Sequence, residues 1–485
     1  MSWTQAARVR CVNQHPPRPT GAFVLCWLQQ VLRATDNPVI DAAIRLANSL
    51  DLPVLVYHGL REDYPYASDR LHRFILAAVR DVAIGCADRG IAFAGHIDRA
   101  ERREKGLVYR LATDAAAIVM EDQPTFVART QSERVAAAVD VMALAVDAAC
   151  LVPSSALDEG IGSTSAFRRR HSTVSEEWLE SRDEMPGRPA YSGPLPFAPD
   201  RLDTFSEDDL DALIASLAID HGLAPSDMFR AGREGALERL RRLSDEVLPR
   251  YAAVRNDATR TDGASGLSPY LHFGVIGPRE VMTVVDAAKA PANAKEKFAD
   301  ELLTWREWFH YQARALKMPE RYDRIPGWAI DTLAMHASDP RPELETLDAM
   351  LHGETSDEMW NACQKQFLID GWMHNNLRMY WGKRIIAMTP SPEAAWATAC
   401  YLNDRLSLDG RDPSTYGNIA QMFGGGAPGR EAAIYGRVPT RSDGSTRHRP
   451  DGPEWIAAAA ARPVSRIDVP VDPPVDPYLT GIPAV

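Results

Sequence analysis

The feature that most constrains this chain is a change of hydrophobic period part-way along it. Up to about residue 150, short apolar runs alternate with amphipathic stretches of helix length: AFVLCWL (22–28), LPVLVYH (52–58), IAFAGHI (91–97), AAAIVME (115–121) and VMALAVD (141–147). Apolar runs of this length read as buried strands, and their alternation with helical stretches predicts a parallel sheet with helices on both faces. From 208 to 399 the apolar residues fall three and four apart, in DLDALIASLA, ELLTWREWFHYQARAL and WNACQKQFLIDGWMHNNLRMYWGKRII, which predicts a predominantly helical second domain. Between them, MPGRPAYSGPLPFAPD (185–200) is rich in Pro and Gly and has no period, as a linker would. At 485 residues the chain is longer than one core usually supports. The reading is an α/β domain over 1–184, a linker over 185–207, a helical domain over 208–462 and a Pro-rich, loosely held tail over 463–485.

Composition removes several classes. No apolar run approaches the ~20 residues needed to cross a bilayer, and the start MSWTQAARVRCVNQHPPRP has no apolar secretory core, so a cytoplasmic protein without a membrane partner is expected. The six cysteines are scattered, with no CxxC pair and no histidine at zinc spacing, so no metal site is expected. No GxGxxG follows the first strand, which disfavours a dehydrogenase. The net charge of −12 repels nucleic acid at long range, and any DNA contact must come from a local basic patch.

Four segments carry chemistry. In GLSPYLHFG (266–274), Ser268 before Pro269 is a helix start, suited to simple capping or to a phosphate. In DELLTWREWFHYQ, Glu301, Trp305 and Trp308 fall at i, i+4 and i+7. That face either stacks a flat base and bonds its edge or forms a core stripe with Glu301 at its exposed end. His374, Arg378 and Trp381 repeat that spacing, with Asn375 and Met379 on a neighbouring face. Polar groups this dense in an apolar helix suit a polar cofactor, the other reading being a solvated face. In YLNDRLSLDGRDPSTYGN, Asn403 and Asp409 flank a turn and Asp412-Pro413 ends the element.

In this order, and joined to RVRCVNQHPPRPTGAFVLCWLQQVLRATDNPVIDAAIRLAN (8–48), LREDYPYASDRLHRFIL (60–76) and RNDATRTDGASGLSPYLHFGVI (255–276), these segments resemble the class II cyclobutane pyrimidine dimer photolyases of the photolyase and cryptochrome superfamily. The resemblance runs from about Arg8 to Arg449. It implies an α/β N-terminal Rossmann-like antenna domain followed by an all-α FAD-binding domain, and a light-driven repair enzyme acting on UV-damaged DNA, as a monomer. Carried over by motif, Tyr251, Ser265, Leu267, Ser268 and Asn376 would hold FAD. Arg378 and Asp409 would pair beside the isoalloxazine, and Asn403 would face flavin N5, where an amide suits a reduced flavin better than a carboxylate does. Glu301 would hydrogen-bond the flipped dimer and stabilise its radical anion, with Trp305 stacking on it and Met379 touching its other side. Trp381 and Trp360, on adjacent helices, would pass electrons in from the surface. An antenna chromophore, a deazaflavin or a folate, would sit in the N-terminal domain.

The chain also departs from that family. Gln421 stands where a lesion-gripping tryptophan is usual, GGGAPGREAA (424–433) replaces a charged run, and Met388 occupies a place where some members keep another tryptophan. Arg430, Arg437, Arg441 and Arg447 either contact DNA phosphates or belong to a solvated tail. These departures motivate a second function: a photolyase-like flavoprotein photoreceptor that has lost dimer repair.

Overall fold

A computed structural model describes residues 4–180 and 185–469. The boundary expected at 184 and most of the expected tail lie outside the described residues.

Each of the five apolar runs is a strand: β2 (Phe23–Trp27), β3 (Val54–Arg61), β4 (Ala92–Asp98), β5 (Ala115–Glu121) and β6 (Met142–Val146). They pair in parallel. Every residue of β2 and β5 is buried, as strands covered on both faces must be. A sixth strand, β1 (Val9–Cys11), adds antiparallel to β6 and completes the order β1-β6-β5-β2-β3-β4. Its three residues, Val-Arg-Cys, are half-buried or exposed, so no apolar run announced it. It is held at the sheet edge by its ladder and by Arg10, which bonds Asp122 at 3.0 Å.

The strand order reverses between β2 and β5, the place where open sheets of this kind bind phosphates. Here the loop after β2 turns its amides onto a carboxylate of the chain itself: Glu121 accepts the N–H groups of Gln29 (2.7 Å), Gln30 (3.0 Å) and Val31 (2.9 Å). The anion site is thus filled from within, the structural counterpart of the missing glycine fingerprint.

Residues 185–199 run without helix or strand, and Asp200 then stitches the chain to β4, its N–H donating to Gly95 O and its carboxylate accepting from Ile97 N, both at 2.8 Å. Beyond it the chain is helical, and among the described residues no helix is long and apolar enough to cross a membrane. One face of the sheet, through Val24, Cys26 and Val56, shares a continuous core with Phe74, Tyr270, Phe273 and Trp308, so the sheet and the helices are joined by packing as well as by chain.

A buried cation also crosses this seam. Arg70, on the helix Asp69–Asp88, is 2% exposed. It donates to Leu368 O (2.6 Å), Ile369 O (3.0 Å), Leu406 O (2.8 Å) and Ala224 O (3.0 Å). It therefore serves the orphan carbonyls at the ends of the helices Glu358–Asp370 and Pro392–Leu406, where a positive charge is favoured. Burial pulls its pKa down to about 10, still well above neutrality. Arg70→Met strands these acceptors in a dry seam and is expected to lower stability by about 3 kcal/mol, read as a lower urea midpoint.

Candidate functional site

Five helical segments and the turn at 409–412 surround a cavity of about 590 Å3, a size typical of ligand sites. Tyr251, Ser265, Leu267, Ser268, Glu301, Trp305, Asn376, Arg378, Met379 and Asp409 all line it. Residues singled out across some 160 positions of sequence are thus brought together.

The wall bearing Glu301 and Trp305 has an unexpected geometry. Residues Asp300–Arg306 form a π-helix, continued by the α-helix Glu307–Leu316. Its wider turn shifts the face, so Glu301, Trp305 and Phe309 line the cavity. Trp308, expected on the same face, instead points into the core, 4% exposed, stacked on Tyr311 (5.8 Å, 15°) and packed on Phe167 (5.5 Å). Glu301 pairs with Arg255 at 2.6 Å and Lys297 at 3.0 Å. The second lies four residues back on the helix, a spacing readable from sequence. Arg255 is 46 positions away and gave no local signal.

The opposite wall comes from the helix Asn375–Met388, which His374 caps by accepting from Asn376 N. Arg378 is 7% exposed and donates to Asp409 at 3.1 Å, its guanidinium resting 5.3 Å from the Phe367 ring centre. Burial would push the Asp409 carboxyl up, but Arg378 and hydrogen bonds from Ser407 and Ser268 outweigh it and hold it below the ordinary value. Ser268 is not the cap of its short helix: Leu267 holds that place, and the Ser268 hydroxyl accepts from Trp372 Nε1 at 3.2 Å. Gly266 at the cavity edge has φ +66°, and a Cβ there would sit 3.3 Å from Arg239 and Phe229. Asp412-Pro413, expected to end an element, begins the helix Pro413–Met422, with Asp412 accepting from Ser414 N.

Asn403 lies behind the wall, fully buried, its amide nitrogen 3.5 Å from the lining Thr415. Its Oδ1 has no partner, nor do Arg378 Nε, Ser414 Oγ or Arg441 Nε, all buried. Four such atoms around one cavity fit a polar ligand with both donors and acceptors, because buried polar groups otherwise cost free energy.

Trp381, at the same spacing as His374 and Arg378, does not reach the cavity. It is buried, bonded through Nε1 to Gln364 Oε1 (2.8 Å), and stacks on Trp360 of the neighbouring helix at 6.2 Å and 8°. Phe367 lies between it and Arg378, 5.7 Å from Trp381. Trp360 is also 0% exposed, so the pair ends inside the protein and not at its surface.

The Gly-rich segment is built, not loose. Gln421, on the cavity wall, donates to Gly425 O at 3.3 Å; Ala432 pairs with Gly436; and Tyr435 donates to Lys383 O at 2.9 Å. Of the four arginines singled out for DNA, only Arg441 lines the cavity, bonded to Asn376 Oδ1 at 3.2 Å and, among the described residues, with no carboxylate in an ion pair. Arg430 and Arg437 are exposed, while Arg447 is occupied by Asp443 and Glu358.

Asp409→Asn leaves the Arg378 charge buried and unpaired, and a loss of about 3 kcal/mol at neutral pH is expected. Because the folded carboxyl is held below the ordinary value, its contribution is complete above about pH 5 and is lost as the pH falls through the folded pKa. The gap between the urea midpoints of the two proteins should therefore shrink on acidification.

Comparison with known proteins agrees with this architecture. A family model described as DNA photolyase matches residues 24–190. The chain is 31% identical over 451 residues to the deoxyribodipyrimidine photo-lyase of Methanothermobacter thermautotrophicus, covering 90% of this chain and 94% of that protein. It is 32% identical to the enzyme of that name from Oryza sativa subsp. japonica, covering 84% and 81%. Among solved structures it superposes on a class III photolyase from Agrobacterium tumefaciens (TM-score 0.63, 16% identity, 90% and 86% covered). An archaeal photolyase from Sulfolobus tokodaii with two FAD molecules gives a TM-score of 0.64 at 16% identity, with 90% of each chain covered.

Proposed function

The chain belongs to the DNA photolyase family, and on that premise we propose that it repairs cyclobutane pyrimidine dimers in UV-damaged DNA under blue light, in the manner of the class II enzymes. The observation that supports this reading is the cavity itself, where an ion-paired carboxylate beside an indole faces a buried Arg378–Asp409 pair.

The residues present fit FAD. Tyr251, Ser265, Leu267, Ser268 and Asn376 would hold its chain and phosphates, Arg378 and Asp409 would lie against its ring system, and the unpartnered Oδ1 of Asn403 suits a ring N–H. When bound in reduced form, FAD supplies a light-excited electron donor that splits the dimer and recovers its electron.

The chain's own residues bind and orient. Arg255 and Lys297 clamp Glu301, so its carboxylate would meet a flipped base with little reorganisation, accepting a base N–H, while the two cations beside it would offset the negative charge that develops on the dimer. Trp305 would stack on that base and Met379 would bound its other side. Gln421 would meet it with an amide, and Arg441 would take a phosphate. The indole pair Trp381–Trp360 would return the cofactor to its reduced form. For an antenna deazaflavin or folate, the cavity of about 1200 Å3 between Arg8, Glu121 and Arg314, at the carboxyl ends of β5 and β6, has the room.

The test is recovery of thymine absorbance when photoreduced protein and dimer-containing DNA are illuminated. Repair is expected, and FAD that photoreduces while the dimers persist would favour the photoreceptor reading. Glu301→Ala should slow repair on the order of 10²-fold while leaving flavin content unchanged; equal repair removes Glu301 from the mechanism. Trp381→Phe should abolish photoreduction of oxidised FAD by an external thiol, and undiminished bleaching of the flavin absorbance would show that another route carries the electron.

A further inference from the structure

A buried cluster behind the cavity has no part in dimer repair as proposed. Asp412 stands between two imidazoles: its Oδ2 lies 3.2 Å from His272 Nδ1 and its Oδ1 3.5 Å from His310 Nε2. His272 is 8%, His310 2% and Asp412 7% exposed. Asp412 lines the cavity of Glu301 and Arg378 on one side. On the other, all three line a separate chamber of about 10 Å3 at the seam between sheet and helices, room for one water molecule. Both ring nitrogens of His310 are buried without a hydrogen bond, so the imidazole faces that chamber with an unused acceptor or donor, a costly arrangement unless it is used.

We propose that His310, with Asp412 and His272, is a proton acceptor that compensates charge: when an electron arrives in the cavity, His310 takes a proton from solvent through the seam chamber and becomes an imidazolium beside Asp412. The proposal rests on the cavity holding a flavin. Negative charge added near a base raises its proton affinity, and in a dry interior that coupling is strong. The step balances: an external thiol gives up one electron and releases its proton to solvent, two of the resulting thiyl radicals joining as a disulfide, while the electron enters by way of the indole pair and one proton leaves solvent and binds His310.

The resting state suits this role. Burial holds the His310 imidazole below its ordinary value, Arg306 acts in the same direction, and Asp412 and Asp147 oppose them. Burial thus favours the neutral imidazole of His310, with a carboxylate in place to stabilise its charged form. The other charged groups around the chamber are occupied: Arg33 donates to Asp36 O and Gly274 O, Arg306 to Ala149 O at 2.8 Å, and Asp147 pairs with Arg314 at 3.2 Å. Among the charged and titratable groups lining the chamber (Arg33, Arg306, His272, His310 and Asp412), His310 is the one with no hydrogen bond.

The test uses the flavin-loaded protein with histidine labelled in 15N. Light-minus-dark infrared difference spectra, with a thiol as reductant, should show a neutral imidazole band lost and an imidazolium band gained, both shifted by the label. Because each oxidised thiol releases a proton, a pH-indicator dye should register no net change while the flavin bleaches. His310→Gln should abolish the imidazole bands and leave a net proton release, and His272→Gln should weaken the bands. If His310→Gln does not fold, His310→Asn takes its place. Flavin that bleaches with no imidazole signal, or with a signal that persists in His310→Gln, overturns the proposal. Protein that binds no FAD overturns the cofactor reading, and this one with it.

Discussion

A carboxylate buried between two parts of a chain must be answered by donors from both, and Glu307 is placed so. It is 2% exposed, it comes directly after the π-helical turn, and it accepts from Leu151 N, Val152 N and His171 Nε2. The first two donors lie in the loop that leaves the last parallel strand, so the sheet grips the turn through a charge that cannot leave without stranding several groups. Because the turn carries Glu301 and Trp305, their position is set by a contact on the far side of the helix. Arg70 completes the seam with the opposite sign, serving carbonyls of two helix ends.

This explains which parts of the fold were legible in sequence. The parallel strands were, because burial on both faces leaves an unbroken apolar run. β1 was not: two edge residues of three are exposed, and its pairing is decided by a partner more than 130 residues away. The π-helical turn was not legible either. Its residues carry ordinary helical periodicity, and one extra residue in a turn leaves no trace in composition, so periodicity puts Trp308 on the face that Phe309 occupies.

The candidate site shows the same division. The resemblance supplied residues that geometry gathers, among them Arg378 with Asp409, and Trp360 with Trp381. Partners made across long separations were silent: Arg255 on Glu301, and the two histidines on Asp412. Asp412-Pro413 reads as a stop because the pair breaks the element before it. The same chemistry, an acceptor ahead of a fixed φ, equally starts the next helix. The Gly-rich stretch after Gln421 reads as slack, but its amides and carbonyls are engaged by Gln421, Arg437 and Gly436.

The burial of the stacked indoles has a consequence for how long the protein stays ready to act. A relay that ends at a wet tryptophan loses charge as easily as it gains it, since any dissolved oxidant can touch its last ring. Here the outer member, Trp360, is sealed under apolar neighbours and its N–H is tied to the backbone of Trp381. In the proposed role such a relay would be insulated like a shielded cable: loading would be slow, because the final hop crosses protein, and leakage would be slow for the same reason. A chain wired in the proposed way would favour retention in the dark over speed of recharge.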